Sequence, residues 1–127
     1  MAAIEELDAC LALWGADAAA RYRARFAVEE LGTNIIKYAY DDQAEHTIWL
    51  KADDAPDVFW LYLEDDGHEF NPCQSSEPNP DLSLQDRKPG GWGLSLVRRL
   101  SAGLDYERRG DRNCVCVGVP RVSPSLE

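Results

Sequence analysis

Among the 127 residues, no segment is expected to direct the chain to or across a membrane. No apolar run approaches the roughly 20 residues that a membrane-spanning helix needs. The opening MAAIEELDAC carries acidic residues where a secretory signal peptide has a basic region. The default expectation is therefore a cytoplasmic protein without a membrane partner.

Ligands for soft metals are also scarce. The chain has four cysteines and two histidines: Cys10, Cys73, Cys114, Cys116, His46 and His68. None of the cysteines forms the CxxC pair that is typical of structural zinc sites. A structural zinc is therefore not expected, and the cysteines are interpreted as reduced, partly buried thiols.

Basic residues are outnumbered, since 13 Lys and Arg stand against 23 Asp and Glu and leave a formal net charge of −10. This charge repels nucleic-acid backbones and anionic membranes, so neither is expected as a partner. A small anionic ligand remains compatible with it, because backbone N–H groups and a metal ion can hold phosphate locally.

The hydrophobic pattern predicts two helices, then strands around one further helix. The first helix carries Ile4, Leu7, Leu11 and Trp14, and the second runs from about Ala16 to Tyr40. Strands are predicted at 46–52, 58–64, 106–109 and 113–119, and a third helix opens at Gly90–Gly93 with Gly103 as its C-cap. Because most connections between the predicted strands look like hairpins, we expect an α+β two-layer sandwich with its helices on one face of a mostly antiparallel sheet. Residues 1–127 are expected to form one domain.

The second helix has an apolar side and a polar side at about 100° per residue. The apolar side comprises Val28, Leu31, Ile35 and Ala39, and the polar side comprises Glu30, Asn34, Lys37 and Asp41. A carboxylate, an amide and an ammonium therefore stack on successive turns. Taken alone, this pattern fits a solvated helix face better than a site, because charged helix faces are common.

Two further polar clusters could also bind a ligand. The segment EDDGHEFNP at 64–72 follows an apolar strand, although Asp-Gly is also a plain turn signal. The segment GGWGL at 90–94 opens a helix whose N–H groups favour an anion, although a flexible hinge has the same composition. No Gly-Lys-Ser/Thr follows it, which excludes a Walker-type NTPase. The long polar segment between the clusters is interpreted as a lid.

The order of ELGTNIIKYAY, EDDGHEFNP and GGWGLSLVRRL resembles the N, G1 and G2 boxes of the Bergerat-fold ATPases. That superfamily includes gyrase, heat-shock chaperone, histidine kinase and mismatch-repair ATPases. Within it the chain is most similar to bacterial anti-sigma-factor serine/threonine kinases of the partner-switching type. The resemblance extends from about Arg25 to Pro120.

The resemblance implies a role for each matching residue. Glu30 matches the general base, Asn34 the Mg²⁺ ligand and Lys37 a phosphate contact. Asp65 matches the carboxylate that accepts a hydrogen bond from the adenine amino group, and Gly67 allows the purine to approach. The lid spans about 71–90. The residues expected at the phosphates are Gly91, Gly93 and Leu94, with the lid cations Arg87 and Lys88.

The implied function is an ATP- and Mg²⁺-dependent serine/threonine kinase that acts as an anti-sigma factor. Its substrate would be a small antagonist protein with an acceptor Ser or Thr, its second partner a sigma factor, and its assembly a homodimer. One alternative is a non-catalytic module that captures a partner when ATP is bound. Another is a detached histidine-kinase catalytic domain, although no phospho-accepting helical hairpin is visible.

The chain departs from the family pattern in two places. The family begins with a strand before its first helix, whereas helical sequence follows Met1 almost directly here. Many members also support the adenine site with a threonine on a late strand, which reads NCVCVGV here. Thr33 is a candidate replacement. Trp14 and Trp92 fit either a partner surface or buried packing.

Overall fold

The computed structural model describes residues 2–42, 44–74 and 91–122. Within these ranges, three α-helices, one 3₁₀ turn and four strands follow one another. They are α1 (Ala2–Leu13), α2 (Ala18–Tyr38), β1 (Trp49–Asp54), β2 (Val58–Asp65), the 3₁₀ turn (Pro72–Gln74), α3 (Gly91–Leu100), β3 (Gly103–Arg109) and β4 (Arg112–Pro120). None of the helices in these ranges is both long and apolar enough to cross a membrane.

The strands form one antiparallel sheet in the order β1-β2-β4-β3. Side chains alternate across each strand, so the inner face of β2 and β4 is apolar. It presents Phe59, Leu61, Leu63, Val115, Val117 and Val119, all at most 2% exposed. The helices cover this face with Leu11, Leu31, Ile35, Leu94 and Val97. The predicted α+β fold and the predicted apolar side of α2 are confirmed.

Two predicted boundaries were wrong for identifiable reasons. The second helix starts at Ala18 because Asp17 is its N-cap and accepts a hydrogen bond from the Ala20 N–H at 2.8 Å. Gly103 is no C-cap, since it begins β3 and pairs with Gly118. A Cβ at Gly118 would lie 2.8 Å from Cζ3 of Trp60, so the indole ring requires a glycine there.

The cap predicts a stability effect that is independent of any ligand. Asp17→Ala removes the side-chain acceptor for a free N–H in the first turn of α2 and is expected to lower the free energy of unfolding by about 1 kcal/mol. Urea denaturation would measure it. The exposed Glu6→Ala on α1 is the control and is expected to change stability by less than about 0.5 kcal/mol. Equal effects from both substitutions would contradict the capping role.

Candidate functional site

The site is centred on Asp65, the last residue of β2. Its side chain is buried, at 0% exposure. Oδ1 accepts hydrogen bonds from the Gly67 N–H and from the side-chain amide of Asn113, both at 2.9 Å. Oδ2 is buried too, yet no described residue donates a hydrogen bond to it. Because leaving a buried acceptor unpaired is costly, this oxygen is the natural place for a donor on a ligand.

Asn113 is the site residue that the sequence analysis missed. It lies opposite Asp65 in the β2–β4 register and is 1% exposed. Its amide nitrogen donates to Asp65 Oδ1 and, at 2.8 Å, to the carbonyl of His68. Asn113, and not the exposed Thr33, therefore supports the carboxylate. Strand alternation could have revealed it, because Asn113 shares the inner face with Val115 and Val117.

Gly67 packs against the end of α2. A Cβ at this position would lie 2.8 Å from Cβ and 2.9 Å from the carbonyl carbon of Ala39, and closer still to its oxygen. That oxygen accepts a hydrogen bond from the His68 N–H at 2.9 Å. Contact with α2 therefore already requires glycine here, whether or not a purine approaches.

A second contact joins the same two segments. The hydroxyl of Tyr40 donates to Asp66 Oδ1 at 2.7 Å and accepts from the Asp66 N–H at 3.2 Å. Burial, and then the hydrogen bond to Asp66, raise the pKa of Tyr40 to about 12, while the same bond lowers the pKa of Asp66. The His46 ring stacks on Tyr40 with centroids 3.7 Å apart. The loop after β2 is therefore fixed to the chain that follows α2.

The polar side of α2 is divided between the interior and solvent. Asn34 is 4% exposed, and Glu30 is half-buried. Lys37 and Asp41 are exposed, so only these two residues of the polar side form a solvated face. The amide nitrogen of Asn34 donates to the Glu30 carbonyl at 2.7 Å. Its amide oxygen accepts no hydrogen bond from the described residues and is the atom that could ligate a hard cation.

The carboxylate of Glu30 lies directly against Gly93, in the first turn of α3. A Cβ at Gly93 would stand 2.5 Å from Cδ and 3.2 Å from Cγ of Glu30, and closer still to Oε2. A negative charge is favoured beside the amino end of a helix. The first and third sequence clusters therefore meet at this contact.

The remaining predicted site residues fall into two groups. Leu94 packs its side chain into the core at 3% exposure, so only its main chain could contact a nucleotide. Arg87 and Lys88, with most of the predicted lid, lie outside the described residues; Gly91 begins α3. The start of the lid is held by Arg98, which donates to the carbonyls of Pro72 at 3.0 Å and Cys73 at 2.9 Å.

No group of three His, Cys, Asp or Glu side chains within 2–42, 44–74 and 91–122 could hold a metal ion. A metal beside Asn34 would therefore take most of its ligands from phosphate and water. Mg²⁺ is commonly bound in this way, with few protein ligands and several waters. The amide oxygen of Asn34 therefore suits a metal that arrives with its own ligands better than a bare metal ion.

Comparisons with known proteins concern the family and the fold of the chain. Serine/threonine-protein kinase BtrW of Bordetella bronchiseptica is 30% identical over 89 residues, which make up 70% of this chain and 63% of BtrW. The chain thus spans less than two thirds of that relative. The histidine kinase domain of the blue-light activated histidine kinase from Erythrobacter litoralis EL346 superposes with a TM-score of 0.52 at 19% identity, over 80% of this chain and 47% of that chain.

Another structure of the same Erythrobacter kinase gives a TM-score of 0.54 at 20% identity, over 83% of this chain and 31% of that chain. At such identities the structural likeness concerns the fold alone. The family model described as the histidine kinase-like ATPase domain matches residues 1–119. The chain therefore belongs to the family of histidine kinase-like ATPase domains.

Proposed function

We propose that this chain is an ATP- and Mg²⁺-dependent protein serine/threonine kinase that phosphorylates a small antagonist protein and regulates a sigma factor. The observation that carries the proposal is the buried carboxylate of Asp65, with Oδ1 paired and Oδ2 unpaired. The likeness to BtrW supports serine/threonine specificity. Residues 1–127 would form one domain that acts in the cytoplasm as a homodimer.

Asp65 would select the nucleotide base. A carboxylate only accepts hydrogen bonds, and the 6-amino group of adenine only donates them. Oδ2 would therefore pair with this amino group, while Oδ1 keeps its two protein donors. Because Oδ2 is shielded from solvent in the structure, the atoms that cover it must move when a base enters.

Asn34 and Glu30 would serve the phosphates and the acceptor. Because its amide nitrogen is engaged by the Glu30 carbonyl, Asn34 would hold Mg²⁺ through its amide oxygen. Bound Mg²⁺ would neutralise charge on the phosphates during transfer. Glu30, one helical turn away, would accept the proton of the attacking hydroxyl. Lys37, Gly91, Gly93 and the lid cations Arg87 and Lys88 would contact the phosphates.

The test separates binding from transfer. Glu30→Gln keeps the shape of the side chain but removes the base, so it is expected to bind ATP normally and to lower the transfer rate roughly 100-fold or more. Calorimetry would measure binding with and without Mg²⁺. Single-turnover transfer of labelled γ-phosphate to an antagonist protein from the same genome would measure chemistry. Glu29→Gln, which changes an exposed neighbour paired with Arg25, is the matched control.

Two further measurements test the Mg²⁺ site and distinguish a serine/threonine kinase from a histidine kinase and from a partner-capture module. Asn34→Ala is expected to bind ATP with little dependence on Mg²⁺. The phosphorylated product is expected to be stable in acid, as phosphoserine and phosphothreonine are, whereas an acid-labile phosphate would indicate histidine phosphorylation. ATP binding without transfer to any antagonist would leave the chain as a partner-capture module and would contradict the kinase.

A further inference from the structure

We propose that Tyr40 is a positioning residue whose hydrogen bonds with Asp66 fix the separation between the base half and the phosphate half of the nucleotide site. This inference rests on the proposed function and adds a residue at the joint between the two halves. Tyr40 would not touch the nucleotide. It would act through the main chain around Asp66, which leads from the base half to the end of α2.

The two halves of the proposed site lie on different elements. Asp65 is the last residue of β2 and Gly67 follows it, whereas Glu30 and Asn34 lie on α2. A nucleotide joins both halves through a linkage of limited length, so each half strengthens binding at the other only when their separation matches the ligand. Transfer is more demanding, because a displacement of about 1 Å at the reacting atoms can cost about 100-fold in rate. The joint between α2 and the loop after β2 therefore affects binding and transfer.

This joint contains a main-chain contact and a side-chain contact. In the main-chain contact, the His68 N–H donates to the Ala39 carbonyl at 2.9 Å, and Gly67 packs against Ala39. In the side-chain contact, the Tyr40 hydroxyl donates to Asp66 Oδ1 at 2.7 Å and accepts from the Asp66 N–H at 3.2 Å. The contact at Ala39 alone would leave the loop free to pivot about that residue. The hydrogen bonds of Tyr40 also fix the angle between the loop and α2.

The surroundings of Tyr40 suit a fixed joint. Burial, and then the hydrogen bond to Asp66, raise the pKa of Tyr40 to about 12, so its hydroxyl keeps the proton that it donates. His46 stacks on the ring with centroids 3.7 Å apart, and its Nε2 lies 2.6 Å from Asp42 Oδ1. A further ion pair across the joint, between His68 and an exposed aspartate after α2, spans 3.4 Å and contributes little because solvent screens it.

A structural role and a positioning role for Tyr40 predict different results. A structural role lowers the melting temperature and weakens the binding of a whole nucleotide and of its fragments alike. A positioning role leaves each half of the site intact, so adenosine alone and tripolyphosphate alone bind as before. ATP, which must reach both halves at once, then binds more weakly and presents its γ-phosphate less accurately.

The experiment compares ATP with adenosine and with inorganic tripolyphosphate, each with Mg²⁺. Dissociation constants would be measured by calorimetry for ATP and by NMR titration for the fragments, in the wild type and in Tyr40→Phe, which keeps the ring but loses both hydrogen bonds. ATP is expected to bind about tenfold more weakly to Tyr40→Phe, while each fragment changes by less than about twofold. The transfer rate at saturating ATP is expected to fall about tenfold or more. Tyr22→Phe, at a tyrosine of α2 that is 70% exposed, is the matched control and is expected to change none of these values.

The outcomes separate this inference from the function beneath it. Adenosine weakened as much as ATP, or a transfer rate at saturating ATP equal to that of the wild type, would overturn the positioning role and leave the ATP site standing. The transfer rate decides alone if a fragment binds too weakly to titrate. Asp66→Ala removes the acceptor of the Tyr40 hydroxyl and gives the same comparison if Tyr40→Phe does not fold, whereas Asp66→Asn keeps an oxygen there and is expected to resemble the wild type. A wild type that binds no ATP would instead contradict the proposed function.

Discussion

Asp65→Asn is expected to abolish detectable ATP binding while leaving the protein folded. The variant has the same shape, and one atom of its side chain must still accept hydrogen bonds from the Gly67 N–H and the Asn113 amide. The amide oxygen of the new side chain takes that place. Its NH₂ group then occupies the Oδ2 position, where it meets the 6-amino group of adenine donor to donor.

The expected loss of ATP affinity is at least about 100-fold, because one hydrogen bond is removed and two buried donors are opposed. ITP is expected to lose far less affinity, since its 6-oxo group accepts from the new NH₂. Calorimetry with both nucleotides would measure the effect, and a melting temperature near that of the wild type would exclude unfolding as its cause. Asp66→Asn, at the exposed neighbour bonded to Tyr40, is the matched control. ATP affinity unchanged in Asp65→Asn would refute the assignment.

The fold could be predicted because it depends on periodicity. Val28 and Ile35 recur at helical spacing and are buried, and the apolar strand 58–64 lies in the middle of the sheet, between β1 and β4. These signals are local in the sequence. Strand pairing, in contrast, depends on residues that are distant in the sequence. For this reason β3 was predicted to begin at Tyr106, although its pairing with β4 extends back to Gly103.

The site could be predicted only in part, because its residues are joined by long-range contacts. Asp65 and Asn113 are 48 positions apart and meet only through the β2–β4 register. The burial of Asn34 was likewise not visible in a helix pattern that placed it with exposed residues such as Lys37. Local spacing identifies which side chains share a face, but not which neighbouring element covers that face.

Gly67 and Gly93 also show that local sequence does not reveal which neighbouring element a residue contacts. Gly67 and Gly93 were predicted from the resemblance to admit a nucleotide. A Cβ at Gly67, however, would strike Ala39, the C-cap of α2, and a Cβ at Gly93 would strike Glu30 within α2. Helix α2 thus sets the positions of both glycine-containing segments. A change in α2 would be transmitted through Gly67 to the proposed base site and through Gly93 to the proposed phosphate site. The contact between Gly93 and Glu30 leads to a prediction for the substitution Gly93→Ala.

Gly93→Ala is expected to destabilise the protein only while Glu30 is present. The new methyl group would overlap the Glu30 carboxylate, and such overpacking costs about 1–3 kcal/mol. In a Glu30→Ala background the obstacle is absent, and alanine is a better helix former than glycine by up to about 1 kcal/mol. The sign of the effect on the free energy of unfolding should therefore reverse between the two backgrounds, as measured by urea denaturation.

Gly32→Ala is the matched control, because a Cβ at this position of α2 meets nothing within 4 Å. It is expected to stabilise the chain by up to about 1 kcal/mol in both backgrounds. If Gly93→Ala behaves like Gly32→Ala while Glu30 is present, the contact between the carboxylate and α3 is either absent in solution or displaced without cost, and the expected clash is contradicted. Neither measurement requires a nucleotide or an acceptor protein.

The same substitution should also be visible in catalysis. Displacing the proposed base is expected to lower the transfer rate of Gly93→Ala by about 100-fold or more, with a smaller change in ATP affinity. Glu30→Asp shortens the side chain by one methylene and makes room for the new methyl group. The double variant is therefore expected to transfer phosphate faster than Gly93→Ala alone, although Glu30→Asp alone is slower than the wild type. A double variant slower than both single variants would show that Gly93 acts on the phosphates and not through Glu30.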